Sequence, residues 1–134
     1  LAETAMAKIA PLLGVVASRP TRVRPLPGGN LPVPFDAFVE RVKSQWPFLG
    51  ALRAERMARA YGTRLAEMLN DVASQADLGE DFGAGLSQRE VDWLITQEWA
   101  QSADDILNRR TKIGLVAGPE TRNRITTYLK GRTA

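Results

Sequence analysis

The sequence predicts an all-α domain of about seven short helices in a crossed, orthogonal array, with no sheet. Apolar residues recur at helical spacing, and no segment alternates apolar and polar residues over a useful length, as a strand would. Frequent glycines and prolines keep each predicted helix short. Since 134 residues are enough for one hydrophobic core, we expect residues 1–134 to form a single domain.

The first half of the chain divides into one helix, a long loop and three more helices. An apolar stripe over residues 5–13 predicts the first helix, which Gly14 ends. From residue 19 to residue 34, five prolines and the Gly28-Gly29 pair predict an extended loop, which is either a free linker or packs against a neighbouring domain. Further helices are predicted at residues 36–45, 52–60 and 64–74, with breaks at Pro47 and Gly62.

Capping signals organise the second half, after a predicted loop at residues 78–85. Ser87 and Glu90 have the spacing of a capping box and predict a helix start. Ser102 and Asp105 repeat that spacing, and their helix should run to about residue 111. A last helix is predicted from Gly118-Pro119 to Gly131.

Composition excludes several function classes. The absence of cysteine rules out disulfides and thiolate chemistry, and the absence of histidine removes the commonest general base and neutral metal ligand. No apolar run is long enough to cross a bilayer. The formal net charge is only +3, and acidic residues interrupt the arginine clusters, so we expect no nucleic-acid partner.

Glu98 lies on an apolar stripe. Val91, Leu94, Ile95 and Trp99 have the spacing of a buried helical face, and Glu98 falls on it. A buried carboxylate needs a partner, and the nearest donors in sequence are Arg109 and Arg110. We therefore predict a Glu98–arginine clamp whose loss on Glu98→Ala costs about 3 kcal/mol or more. A fixed structural partner is favoured over a general base.

The charges around Asp104 and Asp105 predict a local structural role. Adjacent helical residues point about 100° apart and do not easily share a metal ion. Both aspartates lie in the first turn of a short helix, and Arg109, Arg110 and Lys112 lie near its end, as the helix dipole favours. Asp105 can also pair with Arg109 at i+4. No metal site is expected.

Four segments, taken in order, resemble the carboxy-terminal helical domain of FAD-dependent glycerol-3-phosphate dehydrogenases. They are Leu1-Ala2-Glu3, the loop Pro25-Leu26-Pro27-Gly28-Gly29, the turn Tyr61-Gly62-Thr63-Arg64, and a signature comprising Glu98, Trp99, Asp104, Asp105, Arg109, Arg110, Thr111 and Lys112. The family usually has Trp directly before its arginine pair, where this chain has Asn108.

The resemblance implies a parent enzyme that oxidises sn-glycerol 3-phosphate to dihydroxyacetone phosphate through FAD, with electrons passed to membrane quinone or to oxygen. The family's FAD fingerprint and catalytic residues lie upstream, so the resemblance implies no catalytic, cofactor-binding or metal residue here. Absence of a GxGxxG loop agrees with this expectation.

The implied role is that of an accessory domain. Its partner would be the N-terminal FAD domain of the same polypeptide, in an enzyme that is cytoplasmic and peripheral on the inner face of the cytoplasmic membrane. The alternative is a stand-alone helical module that binds nucleic acid, through a helix-turn-helix at residues 87–111, or another protein.

Overall fold

A computed structural model describes residues 1–16 and 23–132 and is predominantly helical, as predicted. In this part of the chain the α-helices are α1 (Ala2–Ile9), α2 (Phe35–Gln45), α3 (Ala51–Tyr61), α4 (Leu65–Met68), α5 (Gln88–Glu98) and α6 (Pro119–Arg132). A π-helix covers Asp105–Arg110, and several single 3₁₀ turns connect the helices. The predicted count of about seven is therefore corrected to six α-helices and one π-helix within the described ranges. The steep crossing angles remain a prediction.

The prediction that there is no sheet was wrong. Strands β1 (Asp81–Gly83) and β2 (Leu86–Ser87) form an antiparallel hairpin in the segment predicted as a loop. Its two-residue turn, Ala84-Gly85, has φ of 52° and 74°, the geometry that matches the twist of paired strands. Strands of three and two residues are too short to show an alternating pattern.

The hairpin is held by an aromatic contact with the last helix. Phe82 is fully buried, and its ring centroid lies 5.3 Å from that of Tyr128 on α6. Tilted aromatic pairs at this distance are favourable beyond their area burial. The hairpin therefore connects the start of α5 to α6.

The hydrophobic core lies mainly among α2, α3, α4 and α5 and also includes the π-helix. Met57, Leu65, Met68, Leu94 and Ile106 are among its fully buried side chains. The predicted helices of residues 36–45 and 52–60 are confirmed to within one residue at each end.

The helix predicted at residues 64–74 is shorter than expected. It contains a 3₁₀ turn at Gly62–Arg64 and then α4, which ends at Met68. The side chain of Arg89 accounts for the early end, because its Nε donates to the Met68 carbonyl oxygen at 2.6 Å. That bond satisfies a carbonyl at the end of the helix that has no partner within it.

The proline- and glycine-rich loop packs on the end of α3. The Thr63 amide donates to the Gly28 carbonyl oxygen at 3.0 Å. A Cβ on Gly62, whose φ is +53°, would lie 1.9 Å from that same oxygen, so only glycine fits. Residues 28–30 thus pack against this domain, whereas residues 19–22 of the predicted loop lie outside the described residues.

The predicted apolar stripe at the start of the chain is exposed. Helix α1 and the 3₁₀ turn Ala10–Leu13 end at Gly14 in the left-handed conformation, as predicted. However, only Ala10 is buried in this segment, and Leu12 is 85% exposed. Helical spacing therefore identified the helix but not what it contacts.

Candidate functional site

A buried ionic network connects α3 to α5. Both carboxylate oxygens of Glu90, whose side chain is fully buried, accept hydrogen bonds from Arg56, each at 2.7 Å. The Tyr61 hydroxyl donates to the same carboxylate at 2.6 Å. Arg56 also donates to the Gly85 carbonyl oxygen in the hairpin turn at 3.0 Å. A bidentate arginine with further hydrogen bonds is the arrangement that makes a buried carboxylate tolerable.

This network belongs to the fold and is not a reactive centre. Burial, together with the carboxylates of Glu90 and Glu98, raises the pKa of the Tyr61 hydroxyl far above its usual value. Tyr61 therefore stays protonated and serves as a fixed donor.

Sequence reasoning missed this network and assigned Glu90 to a capping box with Ser87. Helix α5 does begin after Ser87, but the Ser87 side chain makes no capping hydrogen bond. The position of Glu90 could have indicated its burial, because Glu90 precedes the core residue Leu94 by one helical turn and so lies on the same face of α5.

The second capping box, predicted from Ser102 and Asp105, is confirmed. Asp105 Oδ2 accepts from the Ser102 amide at 3.1 Å, and the Asp105 amide donates to Ser102 Oγ at 3.1 Å. Hydrogen bonds to the Asp105 carboxylate lower its pKa. The bond from the Ser102 hydroxyl has the largest effect, and the Gln101 and Ser102 amides add to it. The helix that follows takes the wider π form over residues 105–110.

The predicted clamp between Glu98 and the arginine pair was wrong. Glu98 is only partly buried, and within residues 1–16 and 23–132 its carboxylate forms no ion pair with Arg109 or Arg110. Arg110 Nε instead donates to the backbone carbonyl oxygen of Glu98 at 2.9 Å. The arginine therefore caps the carboxyl end of α5, where the helix dipole favours a cation, and the large cost predicted for Glu98→Ala loses its basis.

Asp105 pairs locally, as predicted, whereas Asp104 also pairs with the last helix. Asp105 accepts from Arg109 at 3.0 Å at the predicted i+4 spacing. Asp104 accepts from Asn108 at 2.7 Å, and its carboxylate also lies 3.7 Å from Arg109 Nε and 3.7 Å from Arg122 Nη2 on α6. Among residues 1–16 and 23–132, no group of three or more acidic side chains is arranged to hold a metal ion.

Thr111 and Lys112 close the other end of the π-helix. Thr111 Oγ1 donates to the Ile106 carbonyl oxygen at 2.7 Å, and Lys112 Nζ donates to that of Asn108, also at 2.7 Å. The Asn108 side chain itself lies against Gly114, where an added Cβ would come within 2.0 Å of Asn108 Oδ1. A side chain at position 114 would therefore displace Asn108.

The main exposed features of this region are the Trp99 side chain and a groove beside α3. Trp99 ends α5 in the left-handed conformation, with φ of 56°, and is 83% exposed. An open groove of about 480 Å³ lies beside α3 and is lined by Leu52, Glu55, Arg56, Arg59, Ala60 and Thr111. Arg110 bonds to the carbonyl of Glu98, the residue before Trp99, and Thr111, the residue after Arg110, lines the groove.

Comparisons with known proteins establish the family. The family described as "C-terminal domain of alpha-glycerophosphate oxidase" matches residues 19–131, and the chain belongs to it. A glycerol-3-phosphate dehydrogenase of Pseudomonas aeruginosa is 42% identical over 130 residues, which are 97% of this chain and 25% of that protein.

Other relatives match over similar shares of length. The aerobic glycerol-3-phosphate dehydrogenase of Escherichia coli is 34% identical over 96% of this chain and 26% of its own length. A D-erythritol 1-phosphate dehydrogenase of Brucella abortus is 30% identical over 84% of this chain and 22% of its own length. The chain thus spans about a quarter of the length of the curated relatives it matches.

Proposed function

We propose that residues 1–134 are a single accessory domain at the carboxyl end of a flavin-dependent glycerol-3-phosphate dehydrogenase. The parent enzyme would oxidise sn-glycerol 3-phosphate to dihydroxyacetone phosphate through FAD. The supporting observation is the 42% identity along 97% of this chain to one quarter of a glycerol-3-phosphate dehydrogenase. Substrate chemistry would reside in the other three quarters.

The described residues do not fit FAD. No glycine-rich loop leads into a helix whose amides could hold a pyrophosphate, and the Gly28 and Gly62 backbones contact each other. The buried ionisable groups of α3 and α5 are already paired. This supports a domain with no redox chemistry of its own, and we assign FAD to the remainder of the polypeptide.

Glycerol 3-phosphate is favoured over erythritol phosphate as the parent's substrate. Identity is higher to two relatives named for glycerol 3-phosphate, at 42% and 34%, than to the relative named for D-erythritol 1-phosphate, at 30%. Since one domain type accompanies both substrates, this domain would not choose between them.

Nucleic acid is not favoured as a partner. Many of the exposed or half-exposed arginines pair with carboxylates: Arg53 with Asp81, Arg89 with Asp71, Arg109 with Asp105, Arg124 with Glu80, and Arg132 with Asp92. Cations paired in this way leave less positive charge to bind phosphates. A protein partner fits this surface better.

We assign the parent enzyme to the cytoplasmic side of the membrane, with quinone as electron acceptor and oxygen as the alternative. In the described ranges, no helix combines the length and apolar character that a bilayer crossing requires. Peripheral attachment at the membrane surface is what the family resemblance implies for the parent enzyme.

The test is a flavin-normalised assay of the full-length polypeptide. We expect bound FAD and turnover of sn-glycerol 3-phosphate that exceeds turnover of D-erythritol 1-phosphate, with a soluble quinone analogue or oxygen as acceptor. A polypeptide that carries no flavin, or that prefers the erythritol phosphate, would refute the assignment. Stoichiometric FAD on residues 1–134 alone would refute the accessory role.

A further inference from the structure

The segments that resemble the family lie far apart in sequence but are joined around the carboxyl end of α3. The loop at Gly28 bonds to Thr63 just after α3, and Arg64 Nη2 donates to Gln97 Oε1 near the end of α5 at 3.2 Å. The Glu98 carbonyl in turn accepts from Arg110. Thr111 then lines the groove beside α3. Three of the four segments therefore build one local region.

The fold alone does not explain why residue 99 is a tryptophan. A left-handed backbone favours glycine or asparagine, and a non-glycine residue there costs about 1 kcal/mol or more. The Ala100 amide closes the end of α5 on the Leu94 carbonyl oxygen at 3.1 Å, which requires the turn but not an indole. Nevertheless a tryptophan is present, and most of its surface is exposed to solvent.

The neighbouring exposed side chains add apolar surface and positive charge. Leu52 is 88% exposed at the edge of the groove. The Arg59 side chain is largely exposed, with Glu55 as its carboxylate partner at 3.4 Å. Arg110 is exposed, and its terminal guanidinium nitrogens make no hydrogen bond within the described ranges. Tryptophan and arginine are enriched among the residues that contribute most to protein interfaces, and the exposed leucine adds apolar surface beside them.

We propose that Leu52, Arg59, Trp99, Arg110 and Thr111 form the surface onto which the remainder of the same polypeptide docks. This inference rests on the proposed function. The matched region is 25% of the P. aeruginosa relative, so 75% of such a protein lies outside it and is covalently joined to this domain. A tethered partner has a high effective concentration, which favours it over a second copy.

The chemistry of the surface indicates which part of the partner binds. Trp99 and Leu52 favour an apolar contact, and the terminal guanidinium nitrogens of Arg110 favour a carboxylate. The docking segment is therefore apolar at its centre and acidic at its edge. Burial of Trp99 in such a contact would offset the strain of its backbone.

The absence of cysteine from residues 1–134 allows a direct test by thiol labelling of the full-length polypeptide. Leu52→Cys and Trp99→Cys each place one thiol on the surface, and Thr127→Cys on the exposed side of α6 is the matched control. Leu52→Cys keeps the test informative if Trp99→Cys does not fold. Peptide mass spectrometry measures the maleimide labelling rate at each position in native protein and in urea.

Native labelling at positions 52 and 99 should be slower than at position 127 by about tenfold or more, and the three rates should converge in urea. Adding Trp99→Asn, which retains the preference for the left-handed backbone, should restore fast labelling to Leu52→Cys. Equal native rates at all three positions would overturn the proposal.

A photo-crosslinker attached to Leu52→Cys identifies the occupant. We expect crosslinked peptides from the same polypeptide outside residues 1–134. Crosslinks between isotopically light and heavy copies would overturn the proposal in favour of a second copy, and protection that requires phosphatidylglycerol vesicles would overturn it in favour of a lipid surface. Flavin content and turnover of the same sample test the proposed function separately, because labelling reports docking whether or not glycerol phosphate is oxidised.

Discussion

Two Ser-x-x-acid segments of this chain, Ser87 to Glu90 and Ser102 to Asp105, give their carboxylates different partners. Glu90 is fully buried and bonds Arg56 and Tyr61, while its serine makes no cap. The Asp105 side chain is 16% exposed and closes a reciprocal capping box with Ser102. The same local spacing thus produces a helix-to-helix link in one case and a helix cap in the other.

The difference is caused by a cation far away in sequence. Arg56 precedes Glu90 by 34 residues, and α3 brings its guanidinium to the buried face of α5. Asp105 has Arg109 one turn ahead on the exposed side of its own helix. A carboxylate that can reach a partly buried guanidinium binds it in preference to backbone amides, because a buried unpaired charge is more costly than an uncapped helix end.

Removing the buried carboxylate of Glu90 should have the largest effect on the free energy of unfolding. Glu90→Ala leaves Arg56 without its carboxylate, and we expect the free energy of unfolding to fall by about 3 kcal/mol. The value is at the low end for a buried pair because about a quarter of the Arg56 side chain is exposed. Urea denaturation followed by circular dichroism measures the change.

The matched control is Glu55→Ala on α3, whose ion pair with Arg59 is exposed. It should change the free energy of unfolding by about 0.5 kcal/mol or less. If Glu90→Ala is no more destabilising than this control, the network does not stabilise the fold.

Tyr61→Phe should have the next largest effect. It removes one donor to Glu90 but leaves both bonds from Arg56, so we expect a loss of about 2 kcal/mol, as for a buried hydrogen bond to a charged group. The same denaturation experiment applies, with Tyr128→Phe as a partly buried comparison. A loss equal to that of Glu90→Ala would mean that the hydroxyl, and not the ion pair, carries the network.

Local signals predicted much of the fold. Gly14, Pro47 and Gly62 mark real helix ends, and the helical class and the starts of α5 and α6 follow from the sequence. These features depend on backbone geometry within a few residues, which local sequence encodes. The early end of α4 is not encoded locally, because the carbonyl of Met68 is satisfied by Arg89, 21 residues away.

The candidate site was predicted less well, for the same reason. Glu98 was expected to be the buried, paired carboxylate, but that residue is Glu90, and its donors lie on α3. Arg110 was expected to pair with the Glu98 carboxylate, but it donates to the Glu98 backbone carbonyl oxygen. Apolar periodicity locates a buried face but does not state which distant side chain meets it.

Disrupting the exposed capping box should have a smaller effect. Ser102→Ala removes the acceptor of the Asp105 amide, and we expect the free energy of unfolding to fall by about 1 kcal/mol. Because its folded-state pKa is lowered from 3.8, Asp105 adds stability that is present above that pH and is lost as the pH falls through the folded value.

The cost of Ser102→Ala should therefore be largest near neutral pH and should shrink as the solution is acidified below about pH 4. Denaturation series at several pH values measure this difference between the two proteins. A cost that is constant from neutral to acidic pH would mean that the Asp105 carboxylate takes no part in the cap.

The smallest effect is expected for Ser87→Ala, the counterpart of Ser102→Ala. Ser87 occupies the N-cap position of α5, where loss of a capping hydroxyl usually costs about 1 kcal/mol. Its hydroxyl makes no capping bond, and its Glu90 is held by Arg56, so truncation should cost about 0.5 kcal/mol or less. Parallel denaturation of the two serine variants provides the measurement. Equal losses would show that the Ser87 hydroxyl caps α5 in solution, and the contrast between the two segments would then rest on their carboxylates alone.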